Sequence, residues 1–192
     1  WQRLAADIFN SANLITTINI SPASNDRFAV GTDTRGLWVT ADGGQTFTQW
    51  TGNLDPGATA RSNYRVTAAE WTTTRLVAAL AQFGVFVSTD GGASFATSPF
   101  LVPSTLDPGV HTMDVPLVYD LSADPANPNR LVAALFSHGC YETTDGGQSW
   151  HDLYGDLNVP GPVAGLWIKT GQNVAILPGT GTLLMGVVQD GL

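Results

Sequence analysis

Thr143-Thr144-Asp145-Gly146-Gly147-Gln148-Ser149-Trp150 has two relatives in the same chain, Thr40-Ala41-Asp42-Gly43-Gly44-Gln45-Thr46-Phe47 and Ser88-Thr89-Asp90-Gly91-Gly92-Ala93-Ser94-Phe95. All three follow one pattern: hydroxyl, any residue, Asp, Gly, Gly, any residue, hydroxyl, aromatic. Asp-Gly-Gly between two alternating apolar segments reads as a tight β-hairpin turn, in which glycine supplies the positive φ angles. The carboxylates of Asp42, Asp90 and Asp145 can accept hydrogen bonds from turn N–H groups, and the hydroxyls of Thr40, Ser88 and Thr143 can bond locally. Phe47, Phe95 and Trp150 are then placed to pack beneath the turn and fix its register. One chemical step rarely needs three equivalent aspartates, whereas a repeat architecture does, so these residues, with Gly44, Gly92 and Gly147, read as structural.

Alignment on the three motifs superposes residues 27–47, 75–95 and 130–150 without a gap. The last two segments share twelve of 21 residues, including Arg-Leu-Val-Ala-Ala-Leu at 75–80 and 130–135. The register runs on: residues 182–192 align with 27–37, and Trp1-Gln2-Arg3-Leu4 looks like Trp150-His151-Asp152-Leu153. Motif aromatics thus fall at 1, 47, 95 and 150, and the spacings of 46, 48 and 55 suit a four-stranded unit of roughly 40–50 residues.

Each unit is expected to begin with an innermost strand, at Leu14–Ile20, Val66–Trp71, Leu117–Leu121 and Ala164–Ile168. Second strands are expected at Phe28–Gly31, Leu76–Leu80, Leu131–Phe136 and Leu183–Val188. Third strands are expected at Leu37–Thr40, Val85–Ser88 and Cys140–Thr143, and outer strands at Phe47–Trp50, Phe95–Thr97 and Trp150–Leu153. Ser21-Pro22-Ala23 and Asp124-Pro125-Ala126-Asn127-Pro128 read as turns that cannot continue a ladder. No segment has helical periodicity.

Composition agrees with a turn-rich all-β chain: 43% hydrophobic, with Gly and Pro together at 32 of 192 residues. The formal net charge of −8, with Lys169 as the one lysine, speaks against nucleic acid or an anionic membrane as the partner. Aspartate outnumbers glutamate fourteen to two, as expected of acids that sit in turns. Cys140 is alone and aligns with Leu37 and Val85, so it reads as a core hydrophobe. No apolar run is long enough for a membrane span, and no signal peptide is visible.

The repeated motif resembles the Asp-box (BNR repeat) of the β-propeller superfamily, as in sialidase-like, sortilin-like and xyloglucanase-type propellers. The likeness covers nearly the whole chain. It implies an all-β fold of four-stranded antiparallel blades at about 14–53, 64–102 and 115–157, with a partial blade at 163–192 and residues 1–4 as the outer strand of a preceding one. Both ends cut a blade open, so the expectation is a portion of a longer propeller. The resemblance also implies that the Asp-boxes share one face and that ligand sites lie on the other, among the inter-blade loops and the turns between second and third strands.

Candidate binding residues follow from that placement. The second-to-third turns align at Thr34-Arg35, Gln82-Phe83, Ser137-His138 and Gln189-Asp190. They differ at their tips on a repeated frame, as a recognition surface would. The inter-blade loops add Arg61, Tyr64, His111 and Asp114, and His111 has no metal-ligand spacing around it. Trp38, Trp71 and Trp167 are candidates for stacking on sugars, although Trp38 aligns with Phe86 and Tyr141 at a repeated, core-like position.

Sialidases carry a Phe/Tyr-Arg-Ile-Pro stretch; the nearest match, Tyr64-Arg65-Val66-Thr67, lacks the proline. Xyloglucanase-type enzymes use two aspartates across a cleft, and Asp33, Asp114, Asp120 and Asp190 match no family catalytic motif. The photosystem II assembly factor, another Asp-box propeller, binds through an arginine-rich patch that this chain lacks. The reading is a non-catalytic scaffold or recognition module for a protein or polysaccharide, exported, needing no cofactor or metal. Self-assembly through open blade edges and a glycoside hydrolase with part of its site elsewhere are the alternatives.

Overall fold

The computed structural model describes residues 8–9, 13–50, 65–81, 83–98, 117–136, 139–153 and 170–188. They form antiparallel sheets strung along the chain. The first holds β1 (Ile15–Ile20), β2 (Phe28–Thr32), β3 (Leu37–Thr40) and β4 (Thr48–Gln49). The second holds β5 (Val66–Trp71), β6 (Leu76–Leu80), β7 (Gly84–Ser88) and β8 (Ala96–Ser98), and the third β9 (Val118–Asp124), β10 (Asn127–Leu135), β11 (Gly139–Thr143) and β12 (His151–Asp152). A two-stranded sheet of β13 (Thr170–Ile176) and β14 (Leu183–Val188) follows. Strands are ordered as in the sequence, each paired with the next, so the four-stranded sheets are the expected blades.

The twice-used Leu-Val-Ala-Ala-Leu run shows why the sheets stack. All five residues of β6 are buried, because both faces of the strand are covered. Leu76, Ala78 and Leu80 join a core with Ala29, Leu37, Val39 and Trp50 of the first sheet. Val77 and Ala79 point the other way, into a core with Val118, Leu121 and Leu131 of the third. In β10 the same alternation sends Val132 and Ala134, with Cys140, against Val174 and Ile176. Cys140 is buried, as a small core hydrophobe would be.

Two expectations need correction. The inner strand of the last sheet is Thr170–Ile176, paired with Leu183–Val188, not Ala164–Ile168, which lies outside the described residues. An unbroken apolar run points to Ala164–Ile168, but the strand that forms opens on a polar half, Thr-Gly-Gln-Asn, and sends Val174 and Ile176 into the core. Asn127-Pro128 is not purely a turn either, because β10 begins at Asn127. Pro128 is tolerated there because the register shifts between Asn127 and Leu131, so no ladder bond is asked of its nitrogen.

Candidate functional site

At one end of the sheets lie the three Asp-Gly-Gly hairpins, built alike. The Thr143 hydroxyl donates to Asp145 Oδ1 at 2.7 Å and accepts from Gly147 N–H at 2.9 Å. Asp145 also accepts from the Ser149 N–H at 2.9 Å and hydroxyl at 2.5 Å. Asp42 has the same partners in Thr40 and Thr46, and Asp90 in Ser88 and Ser94. Bonds from the Thr46 and Ser94 side chains and N–H groups hold Asp42 and Asp90 down at about 2. For Asp145, burial pushes upward but is outweighed by the Ser149 and Thr143 bonds, again giving about 2. These carboxylates have their hydrogen-bonding capacity spent inside their own turns.

The second and third hairpins are also gripped by the sheet before them. A Cβ on Gly92 would meet Val39 Cγ2 at 2.9 Å, and one on Gly147 would meet Val87 Cγ2 at 2.8 Å. Arg75 Nη1 donates to Asp145 O at 2.7 Å. The Ser98 hydroxyl donates to Gly147 O and accepts from Trp150 Nε1 at 2.8 Å. In the preceding pair the Ser98 position is Trp50, whose ring lies 4.2 Å from that of Phe95.

At the opposite end lie the turns between second and third strands. They share a frame: Gly36, Gly84 and Gly139 take positive φ of 68°, 86° and 74° just before or at the start of the third strand. What the frame carries differs. Arg35 is half-buried, donates to Ile8 O at 3.2 Å and lies 5.5 Å from the centroid of the Trp38 ring. Its carbonyl accepts from Trp38 Nε1 and Gln49 Nε2. Phe83 is 36% exposed in the second sheet. In the third sheet Tyr119 and Phe136, each 38% exposed, meet edge to face with centroids 5.9 Å apart.

The inner wall carries a row of polar side chains, one sheet reaching to the next. Asn19 Oδ1 accepts from Trp71 N–H at 2.7 Å, Glu70 Oε1 from Ala123 N–H at 3.3 Å and Ser122 Oγ from Ile176 N–H at 3.1 Å. Asp120 Oδ2 accepts from Val174 N–H at 3.0 Å. Glu70 Oε2 also takes a bond from Asn19 Nδ2. Burial pushes the Glu70 carboxyl up to about 7, with the charge of Asp120 adding to the effect and the Ala123 bond opposing it.

Of the candidate binding residues, Arg35 and Phe83 lie at corresponding turns of adjacent sheets. Arg61, Tyr64, His111, Asp114, His138 and Asp190 fall outside the described residues. Trp38 and Trp71 are buried at 8% and 4% exposure, so neither ring is offered to a sugar; Trp167 is outside the described residues. Asp33 accepts from Leu14 N–H at 2.9 Å. Sequence reasoning missed the Tyr119–Phe136 pair, because its members are joined only by strand pairing. It also missed the network in which Arg130 binds Asp124 at 3.1 Å and Glu142 at 2.6 Å, with His151 3.1 Å from Glu142. A signal for the arginines was present: Arg27, Arg75 and Arg130 each stand fifteen residues before a hairpin aspartate.

No family model matches the sequence, and no curated protein matches it. Solved structures do match. One is an ancestral GH74 enzyme, at 21% identity and a TM-score of 0.61, covering 90% of this chain and 22% of that one. Another is the GH74 enzyme of Niastella koreensis, at 12% identity and 0.59, covering 90% of this chain and 26% of that one. A third is the Cps50 (Swd1) β-propeller domain of Myceliophteria thermophila, at 9% identity and 0.55, covering 90% and 49%. The chain spans about a quarter of the length of these two GH74 enzymes. At such identities the likeness concerns the fold alone, and the fold is that of β-propeller blades.

Proposed function

We propose that this chain is a propeller recognition module that binds a protein or polysaccharide through the face opposite its Asp-Gly-Gly hairpins, and that those hairpins are Asp-boxes with a structural role. The observation that carries the reading is the contrast between the two ends. At the hairpin end the three sheets repeat the same residues with the same internal bonds. At the other end the backbone frame repeats but presents a cation in one sheet, a phenyl ring in the next and an aromatic pair in the third. Exposed aromatics at corresponding turns of a repeated frame suit either a sugar ring or an extended peptide.

The test is titration calorimetry of the protein against xyloglucan, related β-glucans and a random peptide library. Phe83→Ala and Phe136→Ala should each weaken binding of the responding ligand about tenfold or more with the melting temperature nearly unchanged. Wild-type affinity in both variants would sink the proposal. Release of reducing ends from xyloglucan by the same preparation would instead favour the hydrolase reading.

A further inference from the structure

We infer that this chain joins a second copy of itself head to tail, the open face of the last sheet in one copy covering the isoleucine face of β1 in the next. Ile15, Ile18 and Ile20 of β1 are 47%, 59% and 57% exposed, an apolar patch of the kind that marks an interaction surface. Strand pairing sets Ile15 level with Val66 and Val118, and Ile18 level with Ala69, Leu121 and Val174. Ile20 is level with Trp71 and Ile176 in the same way. All of these counterparts are buried, each in a core shared with the sheet before it. β1 therefore carries the side chains of a covered strand without the cover.

The described sheets show what such a cover looks like. At each junction it includes one residue of the second strand, Ala29, Val77 or Val132, buried in the core shared with the sheet that follows. In β14 the same position is Leu184, and it is 52% exposed. Two residues further on stand Gly31 and, in the last sheet, Gly186. A Cβ on Gly31 would meet Val66 Cγ1 at 2.7 Å, so that glycine is the seat of the valine. At Gly186 the atoms nearest an added Cβ belong to Asn173 of its own sheet, at 3.7 Å, which leaves a like seat for Ile15 of another copy. Asn173 pairs with Gly186 as Asp120 pairs with Ala134. Asp120 caps the Val174 N–H at 3.0 Å; Asn173 is exposed and stands ready to cap Ile18, the counterpart of Val174.

Both faces are open in the same molecule, so they do not close on each other within one chain. The outer part of the first sheet is already covered. Phe9 lies 6.2 Å from Trp38 and 5.2 Å from Phe47 between ring centroids. Trp50 takes that place on the second sheet, 5.2 Å from Phe86 and 4.2 Å from Phe95. What remains bare is the part that an inner and a second strand cover, and β13 and β14 are an inner and a second strand. The two faces are complementary rather than alike, so the contact is heterologous and runs from one copy to the next.

Sedimentation velocity over a range of concentrations tests the joint. Wild type is expected to pass from the 20.2 kDa species to dimers and higher multiples as concentration rises. Ile18→Asp puts a charge on one face and Leu184→Asp on the other. Each variant should stay at 20.2 kDa and keep its circular dichroism spectrum, since both side chains are more than half exposed. Mixed in equal amounts, the two variants retain one intact face of each kind and should form a dimer and nothing larger. Wild type that stays single at every concentration would overturn the inference and leave β1 to another cover. So would a Leu184→Asp variant that assembles as wild type does, because β1 faces would then be pairing with each other. If an aspartate variant does not fold, Ile20→Asn and Gly186→Gln test the same two faces.

Discussion

At Gly147 the residue's own backbone and its neighbour in another sheet make the same demand. Its φ of 90° disfavours any side chain, and Val87 of the preceding sheet lies where a Cβ would go. Gly36 has a φ of 68° but nothing within 4 Å of an added Cβ. Gly36→Ala should therefore cost only the backbone strain, about 1 kcal/mol. Gly147→Ala should cost about 2 kcal/mol or more, since Val87 must also move. Urea unfolding of the two variants checks the order, and equal losses would mean that the valine contact does not matter. Thr143→Val tests the hydroxyl at full burial, leaving Gly147 N–H without its acceptor; a loss of about 1–3 kcal/mol is expected. The sequence made the turn and its glycines legible because φ preference is local. The valine beneath the second glycine was not legible, because nothing in a local pattern says which residue of another sheet will lie under it.

Individual strands were largely legible, for an equally physical reason. Buried strands of a stacked sheet are short, apolar and bounded by turn formers, and the repeat supplied the register three times over. Val66–Trp71, Leu76–Leu80 and Leu183–Val188 form with the expected limits. The failures came where a strand departs from that pattern, as at the half-polar Thr170–Ile176 and at the bulged start of β10. Contacts between sheets were illegible except through the recurring arginine. Arg75 donates to the Asp145 carbonyl and fills the space beside Gly146. Arg75→Met should keep much of that packing and lose the bond, lowering stability by about 1–2 kcal/mol. Hydrogen exchange should show the loss first in the third hairpin, at Gly147 and Ser149, while the first hairpin stays protected. Uniform loss across the hairpins would contradict a local staple.

Across the sheets, the described residues carry two opposed titrations. The hairpin aspartates have folded values of about 2 against an ordinary 3.8. Their contribution is present above pH 3.8 and is lost as pH falls through 2. Glu70 is shifted the other way, from 4.5 to about 7, so its contribution is full below pH 4.5 and is lost as pH rises through 7. The melting temperature should therefore peak near pH 4 and decline on both sides. Replacing Glu70 by Gln should flatten the neutral limb only. A wild-type maximum at pH 7 or above would refute this account. The chain's acidity was plain from composition, but the upward shift was not, since it needs the burial of one glutamate between three strands.

The bonds that join the sheets have a direction. Asn19, Glu70, Asp120 and Ser122 each offer a side chain to the backbone of the next sheet, and so do Arg75, Ser98 and Arg130. In each of these bonds among the described residues the side chain comes from earlier in the chain, and the backbone that is held comes later. During synthesis the earlier sheet leaves the ribosome first, so each new sheet emerges against a finished template whose reaching groups are already in place. A chain built in this way can be assembled in the order it is translated, with no sheet obliged to wait for the one after it.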